Sequence, residues 1–469
     1  MRAVVTTLGK SGWGAVSVIV GAIAIVLACV IGAASAHNAL MAIVVAVVVL
    51  AAAIIARDAL IVPILAVPAT IAQMRVGDII SVSDLVLALA SFIALFFVSG
   101  RGVSSLRPLV WAGSIYLAMA IPTQILNPNS ANIVEWVHEV VLVLGSLIVG
   151  FVVGRENRAA LALTLYLLVC VSIAIAAMYY AVHSYLVTHT FEPAYLPYLQ
   201  KNTTGGMLAA GAVIAFARPV WMRWSARWSW IVFVLCTMGI LAAQSRQALI
   251  GALVGVLIVS IRRRPQTGRR VKVVWLAAIP VVAVVASAVS EQLDSGNLFN
   301  SAHQRVDWYL QAVQIWQSSP IFGVGMRWWY TSRFAGQYQS FQPPNVELEV
   351  LTEVGVFGLI GFLAMFAVAA WFLWKMDPIY GTVGFAVVAT RFTQTQFDLY
   401  WVAGQASLLW IVAGICYGVQ QLDTARRQRG EPIPWEADLS RTKPARWAHP
   451  ALPAHTARRS TVAGTRSRT

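Results

Sequence analysis

Ala160–Val182 reads ALALTLYLLVCVSIAIAAMYYAV, twenty-three residues without a charge. About 20 apolar residues in a helix cross the hydrocarbon core of a bilayer. Inside lipid the backbone must satisfy its own hydrogen bonds, so a continuous apolar run without two-residue alternation reads as a helix and not as a barrel strand. Similar runs recur near 13–34, 39–56, 58–74, 79–99, 108–126, 133–154, 204–217, 228–244, 247–261, 272–289, 346–374, 379–390 and 398–419, with Pro63 and Pro68 interrupting the third. The chain is 59% hydrophobic and 11% charged over 469 residues. The expected fold is all-α: a polytopic transmembrane helical bundle of about 12–14 helices, carrying one large, partly helical extracytoplasmic loop.

The net charge of +15 does not point to nucleic acid, because of where the charge lies. Ten basic residues fall in the last fifty positions. Others mark alternate loops: Arg57, then Arg101 and Arg107, then Arg155 and Arg158, then Arg218, Arg223 and Arg227, then the run Arg262–Lys272. If every run spans, all these loops share one side, which the positive-inside bias makes the cytoplasm, and both termini lie there. Arg75 departs from this alternation and falls on the other side. Arg2, Lys10, an apolar run and Ala34-Ser35-Ala36 have the layout of a signal peptide. The run is longer than a signal core of about 7–15 residues, so retention as a helix is expected. Residues 420–469 are expected to form a basic, disordered cytoplasmic tail that can touch anionic lipid. Cys29, Cys170, Cys236 and Cys416 lie in apolar runs without CxxC spacing, and no His/Asp/Glu cluster has metal-ligand spacing.

Charge is scarce, so where it survives near a helix end it is informative. Arg246 follows the uncharged run Trp228–Gln244; it either snorkels to headgroups or meets an anion. Two long outer loops are expected, His183–Thr203 and Ser290–Asn345. The larger holds His303, Arg305 and Asp307 among Trp308, Tyr309, Trp316, Trp328, Trp329, Tyr330 and Tyr338. Gln304–Trp316 has the spacing of an interfacial helix. The aromatics fit a membrane-surface belt or a sugar-stacking wall. Two arginines facing one cavity suit a diphosphate, which guanidinium groups grip bidentately. Pro320-Ile321-Phe322-Gly323-Val324-Gly325 reads as a tight turn or close backbone approach, and without a following Lys-Ser it is no nucleotide P-loop. Asn345 caps a helix whose first turn holds Glu347. Capping does not explain Glu353 or Glu349, one turn apart on one face. In Arg391–Asp398, Arg391 either pairs with Asp398 or supplies a third cation.

Ser245-Arg246 before an apolar helix, Arg305-x-x-Trp308-Tyr309, Pro320-x-x-Gly323-x-Gly325, and Asn345-x-x-Leu348-x-x-Leu351-x-Glu353-x-Gly355 follow in that order. Together they resemble the O-antigen ligase family, which includes bacterial polysaccharide polymerases. The resemblance covers Ser245 to Gly361, and Lys201-Asn202 before a helix adds to it. It implies a polyprenyl-diphosphate-linked glycan donor, transferred to an acceptor hydroxyl of a glycan or lipid without metal, nucleotide or other cofactor. Arg246 and Arg305 would hold the diphosphate, with Lys201, Arg391, Asn345 and Glu353 completing the binding set. The family's His-Asn is Pro344-Asn345 here, so the family's base is missing. Glu347, nearest that position, is the first replacement considered, then His303 and Asp307.

The expected organisation is a membrane-embedded ligase-like domain over 1–419, with core motifs in 201–361 and the outer loop at 290–345, followed by the tail. The expected function is a multi-pass glycosyltransferase of the inner membrane that transfers or polymerises lipid-linked glycan at the outer face. Two alternatives remain: a transporter or flippase using Asp84, Glu135, His138 and Glu139, and an inactive relative serving in polysaccharide assembly. The topology has a direct check. Cysteines placed at Ser301 and Ser440 should react differently with an impermeant thiol reagent in intact cells; equal labelling would overturn it.

Overall fold

A computed structural model describes residues 57–76, 80–98, 101–262, 301–330, 342–399 and 401–437, with 283, 287 and 290. The runs at 13–34 and 39–56, nearly all of 272–289, and the chain beyond 437 lie outside the described residues. The described part is helical. Its helices are α1 (Ile61–Ala69), α2 (Val82–Phe97), α3 (Ser104–Leu126), α4 (Ser130–Arg155), α5 (Ala159–Thr188), α6 (Lys201–Ala217), α7 (Ala226–Ala242), α8 (Arg246–Ile261), α9 (Ser301–Ser318), α10 (Val346–Lys375), α11 (Pro378–Thr395) and α12 (Ala403–Gln428). Arg75–Val76 and Ile80–Ser81 form a two-residue antiparallel ladder between α1 and α2. Among the described residues five helices, α3, α4, α5, α10 and α12, are long and apolar enough to cross a bilayer.

Three boundaries differ from the sequence expectation. The run 58–74 yields only the nine-residue α1, about 14 Å of helix and too short to span. α5 continues to Thr188, taking residues expected in an outer loop. α12 runs past the expected domain end at 419 to Gln428. The chain then turns back, and Asp423 accepts hydrogen bonds from Tyr380 Oη at 2.9 Å and Trp435 Nε1 at 2.8 Å. Residues 420–437 therefore belong to the folded body, because a buried carboxylate there recruits donors from two other segments.

Among the described helices long enough to span, α12 is the most deeply buried. It packs backbone to backbone against α4. A Cβ on Gly150 would lie 2.0 Å from the Ile411 carbonyl oxygen, and one on Gly414 2.3 Å from that of Leu147. Small residues at matched positions let membrane helices approach this closely, which lipid-facing hydrophobicity alone does not drive. At the far end of α10, Arg262 donates to the carbonyls of Leu373, Trp374 and Met376 and stacks its guanidinium 4.8 Å from the Trp374 ring. It thereby satisfies carbonyls a helix C-terminus leaves open.

α10 is not the continuous helix its apolar run predicts. Gly355 breaks it at φ 74°, ψ −174°, a region essentially restricted to glycine. The break frees the carbonyls of Thr352 and Glu353 and the amides of Val356 and Phe357. The 320–325 turn takes all four: Val324 N donates to Thr352 O at 3.1 Å, Gly325 N to Glu353 O at 2.9 Å, Val356 N to Pro320 O at 3.0 Å and Phe357 N to Ile321 O at 3.2 Å. Gly323 and Gly355 both have positive φ, and a Cβ on Gly355 would lie 2.2 Å from the Ile321 carbonyl oxygen. Gly355→Ala should therefore unseat the turn and cost at least the ~1–3 kcal/mol of a strained backbone position. Thermal unfolding of the purified protein in detergent would measure this; an unchanged midpoint would refute it.

Candidate functional site

Three basic side chains from three helix starts gather near the loop joining α11 to α12. Lys201 opens α6, Arg246 opens α8 and Arg305 lies early in α9. The Lys201 ammonium feels the charges of both arginines and the opposing charge of Asp398. The starts of α6 and α8 touch: a Cβ on Gly205 would lie 2.3 Å from that of Ser245. Two helix N-termini thus add their positive dipole ends to the cations. Arg305 Nη1 donates to the Phe397 carbonyl at 2.7 Å. Asp398 accepts from Gln247 Nε2 at 3.0 Å and from Asn202. Burial raises the Asp398 carboxyl above its ordinary range, against the lowering pull of the Leu399 amide and Arg305. Asp398 thus faces Lys201 and Arg305, and these charges share one small region with Arg246.

The start of α10 closes one side of this cluster. Tyr309, one turn beyond Arg305, donates from Oη to the Pro344 carbonyl at 3.2 Å. The charges of Arg305, Asp398 and Glu347 all reach its phenol, whose ionisation burial shifts upward. Asn345 caps α10 by accepting from Leu348 N at 2.8 Å, and its Nδ2 donates to Gln396 O at 3.1 Å. Glu347 Oε1 accepts from Thr395 Oγ1 at 2.9 Å and from Gln396 Nε2. Its Oε2 is buried without a protein partner. Lys201, Arg246, Arg305, Asn345 and Glu347 are thus brought to one place.

The remaining expected residues are placed differently. Asp307 is two residues from Arg305 in α9, so about 200° of helix rotation separates them. Arg305, Tyr309 and Ala312 form the face toward the α11–α12 loop and α10, and Asp307 leans away from it. His303 is in the first turn of α9, and its side chain lies outside the described residues. Arg391 is not in a polar loop. It is inside α11 with 1% exposure, donating to Gln394 Oε1 and Met207 Sδ. Glu353 faces a different cavity. Of the aromatics, Trp329 is 2% exposed and packs with Ala312, Ile315 and Val324, while Trp316 Nε1 donates to the Pro320 carbonyl at 3.0 Å. These two contacts hold α9 and the 320–325 turn of the loop together. Tyr338 and the Tyr330 side chain lie outside the described residues.

That second cavity, about 230 Å³, adjoins the cation cluster. Gln200 and Thr203, flanking Lys201-Asn202, line it, as does Leu399, next to Asp398. α4 contributes Glu135, His138 and Glu139 to its wall, and α10 contributes Glu349 and Glu353. Glu135 pairs with Arg327 Nε at 3.1 Å and with His138 Nδ1 at 3.1 Å. Gln342 Nε2 donates to Glu349 Oε1 at 2.7 Å, and Trp401 Nε1 to Glu139 Oε1 at 2.5 Å. From sequence these acids are separate charges on distant helices. In the sequence, capping leaves Glu349 and Glu353 unexplained, and Glu135, His138 and Glu139 stand out as charged groups beside an apolar run.

Residues 231–363 match the sequence profile of the O-antigen ligase family. No curated protein matches the chain. The match covers a little over a quarter of the sequence, from within α7 through α8 and α9 to the second turn after the α10 break. It supports assignment to the O-antigen ligase family and, with the apolar helices, a multi-pass membrane enzyme of polysaccharide assembly. The cation cluster predicts that purified protein binds inorganic pyrophosphate in a salt-sensitive way. Arg246→Lys or Arg305→Lys should weaken that binding by about tenfold, because an ammonium cannot reproduce the guanidinium fork. Calorimetry in detergent would read it, and unchanged affinity in both variants would make the arginines structural.

Proposed function

We propose that this O-antigen ligase-family protein transfers or polymerises a polyprenyl-diphosphate-linked glycan at the outer face of the inner membrane, with both termini in the cytoplasm. The supporting observation is the convergence of Lys201, Arg246 and Arg305 beside the start of α10. The acceptor hydroxyl oxygen, from a glycan or a lipid, attacks the anomeric carbon of the donor sugar. A new glycosidic bond forms, and the carbon–oxygen bond to the diphosphate breaks with its electron pair leaving on the carrier. Three preorganised cations stabilise that developing charge, in the role a metal ion fills elsewhere. The substrate-binding role proposed for Asn345 is indirect: it fixes the first turn of α10 and its link to Gln396. Arg391 acts one layer behind, through Gln394. Membrane lipid surrounds the bundle.

The hydroxyl proton needs an acceptor, and Glu347 is the group proposed. Thr395 and Gln396 fix one of its oxygens, leaving Oε2 for the proton. His303 and Asp307 are the comparison positions. In a strain lacking the protein, carrier-linked glycan should accumulate on the outer leaflet while longer or transferred product disappears. Accumulation on the inner leaflet would instead indicate a flippase, and no accumulation would refute both. Complementation with Glu347→Gln should restore little product: general-base catalysis contributes about 10²–10⁴-fold. Normal turnover in that variant would remove Glu347 as the base, and the same assay on His303→Ala and Asp307→Asn would test the others.

A further inference from the structure

The carboxylate-lined cavity holds more acceptor capacity than the protein uses. Glu139 is 2% exposed and Glu353 6%, yet Glu139 Oε2 and Glu353 Oε1 have no hydrogen-bond partner. Gln405, 4% exposed and uncharged, donates from Nε2 to Thr203 Oγ1 at 3.3 Å but leaves its Oε1 unpartnered. All three residues line the same cavity. Three buried acceptors around one space call for a ligand that brings several donors. Tyr116 and Trp401 supply an aromatic wall, with ring centroids 6.4 Å apart. Exposed Tyr198 and Gln200 mark a mouth on the side of the cation cluster. The volume of about 230 Å³ falls below the roughly 300–1,000 Å³ of drug-sized sites. It suits one ring and not an oligosaccharide. Among the described residues no group of three or more His, Cys, Asp or Glu is arranged to hold a metal ion.

We propose that this cavity is a subsite for one uncharged pyranose of the acceptor, whose hydroxyls donate to Glu139, Glu353 and Gln405. The proposal rests on the glycan-transfer reading for its biological substrate, but its binding chemistry stands alone. Displacement requires the acceptor to approach the anomeric carbon from the face opposite the diphosphate. The adjoining volume, bordered by Gln200, Thr203 and Leu399, is where that approach leads. Hydroxyls can donate to these oxygens, whereas the lining cations Arg327 and His138 are already engaged by Glu135, so a uronic acid's carboxylate meets four acids and no unengaged cation.

Saturation-transfer NMR on purified wild-type protein in detergent tests this, using the methyl glycosides of glucose, galactose, mannose and rhamnose, with sodium glucuronate alongside. At least one neutral glycoside should receive saturation and glucuronate should receive none. Glu353→Gln and Gln405→Leu should each weaken the neutral signal about tenfold in apparent affinity, while pyrophosphate binding at the cation cluster is retained as evidence of an intact fold. Absence of transfer to all four neutral sugars overturns the proposal. So does a signal unchanged in both variants, which would place binding on exposed aromatics, and so does equal binding of glucuronate. If binding follows the expectation while the deletion strain accumulates no carrier-linked glycan, the sugar subsite stands and the transferase reading fails.

Discussion

A four-bond exchange of backbone partners holds the functional half of this protein in register. Where Gly355 interrupts α10, the helix surrenders two carbonyls and two amides, and the Pro320–Gly325 turn satisfies all of them. In an apolar surrounding each unmet group would cost several kcal/mol, so turn and break must occur together. The consequence is positional. The turn draws the end of α9 onto α10, which sets Arg305 and Tyr309 against Pro344 and Phe397. It also brings Arg327 and Trp328 amides to the Glu353 carboxylate. Both polar sites hang from this joint.

The second organising feature is segregation of charge across a short piece of backbone. Lys201 and Asn202 face the cation cluster, and their neighbours Gln200 and Thr203 line the carboxylate cavity. Cations and carboxylates this close would normally pair and cancel. Here each sign has its own supports: Phe397 for Arg305, Gln247 and Asn202 for Asp398, Trp401 for Glu139, Gln342 for Glu349. Each region also holds its own opposite charge, Arg327 against Glu135 in the cavity and Asp398 against Lys201 and Arg305 in the cluster.

Much of this was legible in the chain. Uncharged runs long enough to span a bilayer dictate helices, because lipid leaves the backbone no other partner; α5, α7 and α12 begin within five residues of where their runs do. The order Ser245-Arg246, Arg305, Pro320–Gly325 and Asn345–Gly355 marked the elements that build the cation cluster. Gly323 and Gly325 were readable as a close approach, and Asn345 as a cap, since both follow from local backbone chemistry.

What the sequence could not supply was adjacency. Arg391 reads as a loop cation, yet α11 continues through it and burial ties it to Gln394 and Met207. Trp329 reads as a surface aromatic but fills a core between α9 and the glycine turn. Glu139 and Glu353 lie on helices more than two hundred residues apart in sequence, and only the packing of α4 on α12 and of α10 on α3 and α11 lets them face one cavity. Periodicity and capping are properties of neighbours along the chain, and they fixed the helices and most of their ends. The break in α10, the pairing of cations from three helix starts and the shared acidic cavity depend on contacts between distant segments, which only the tertiary structure decided.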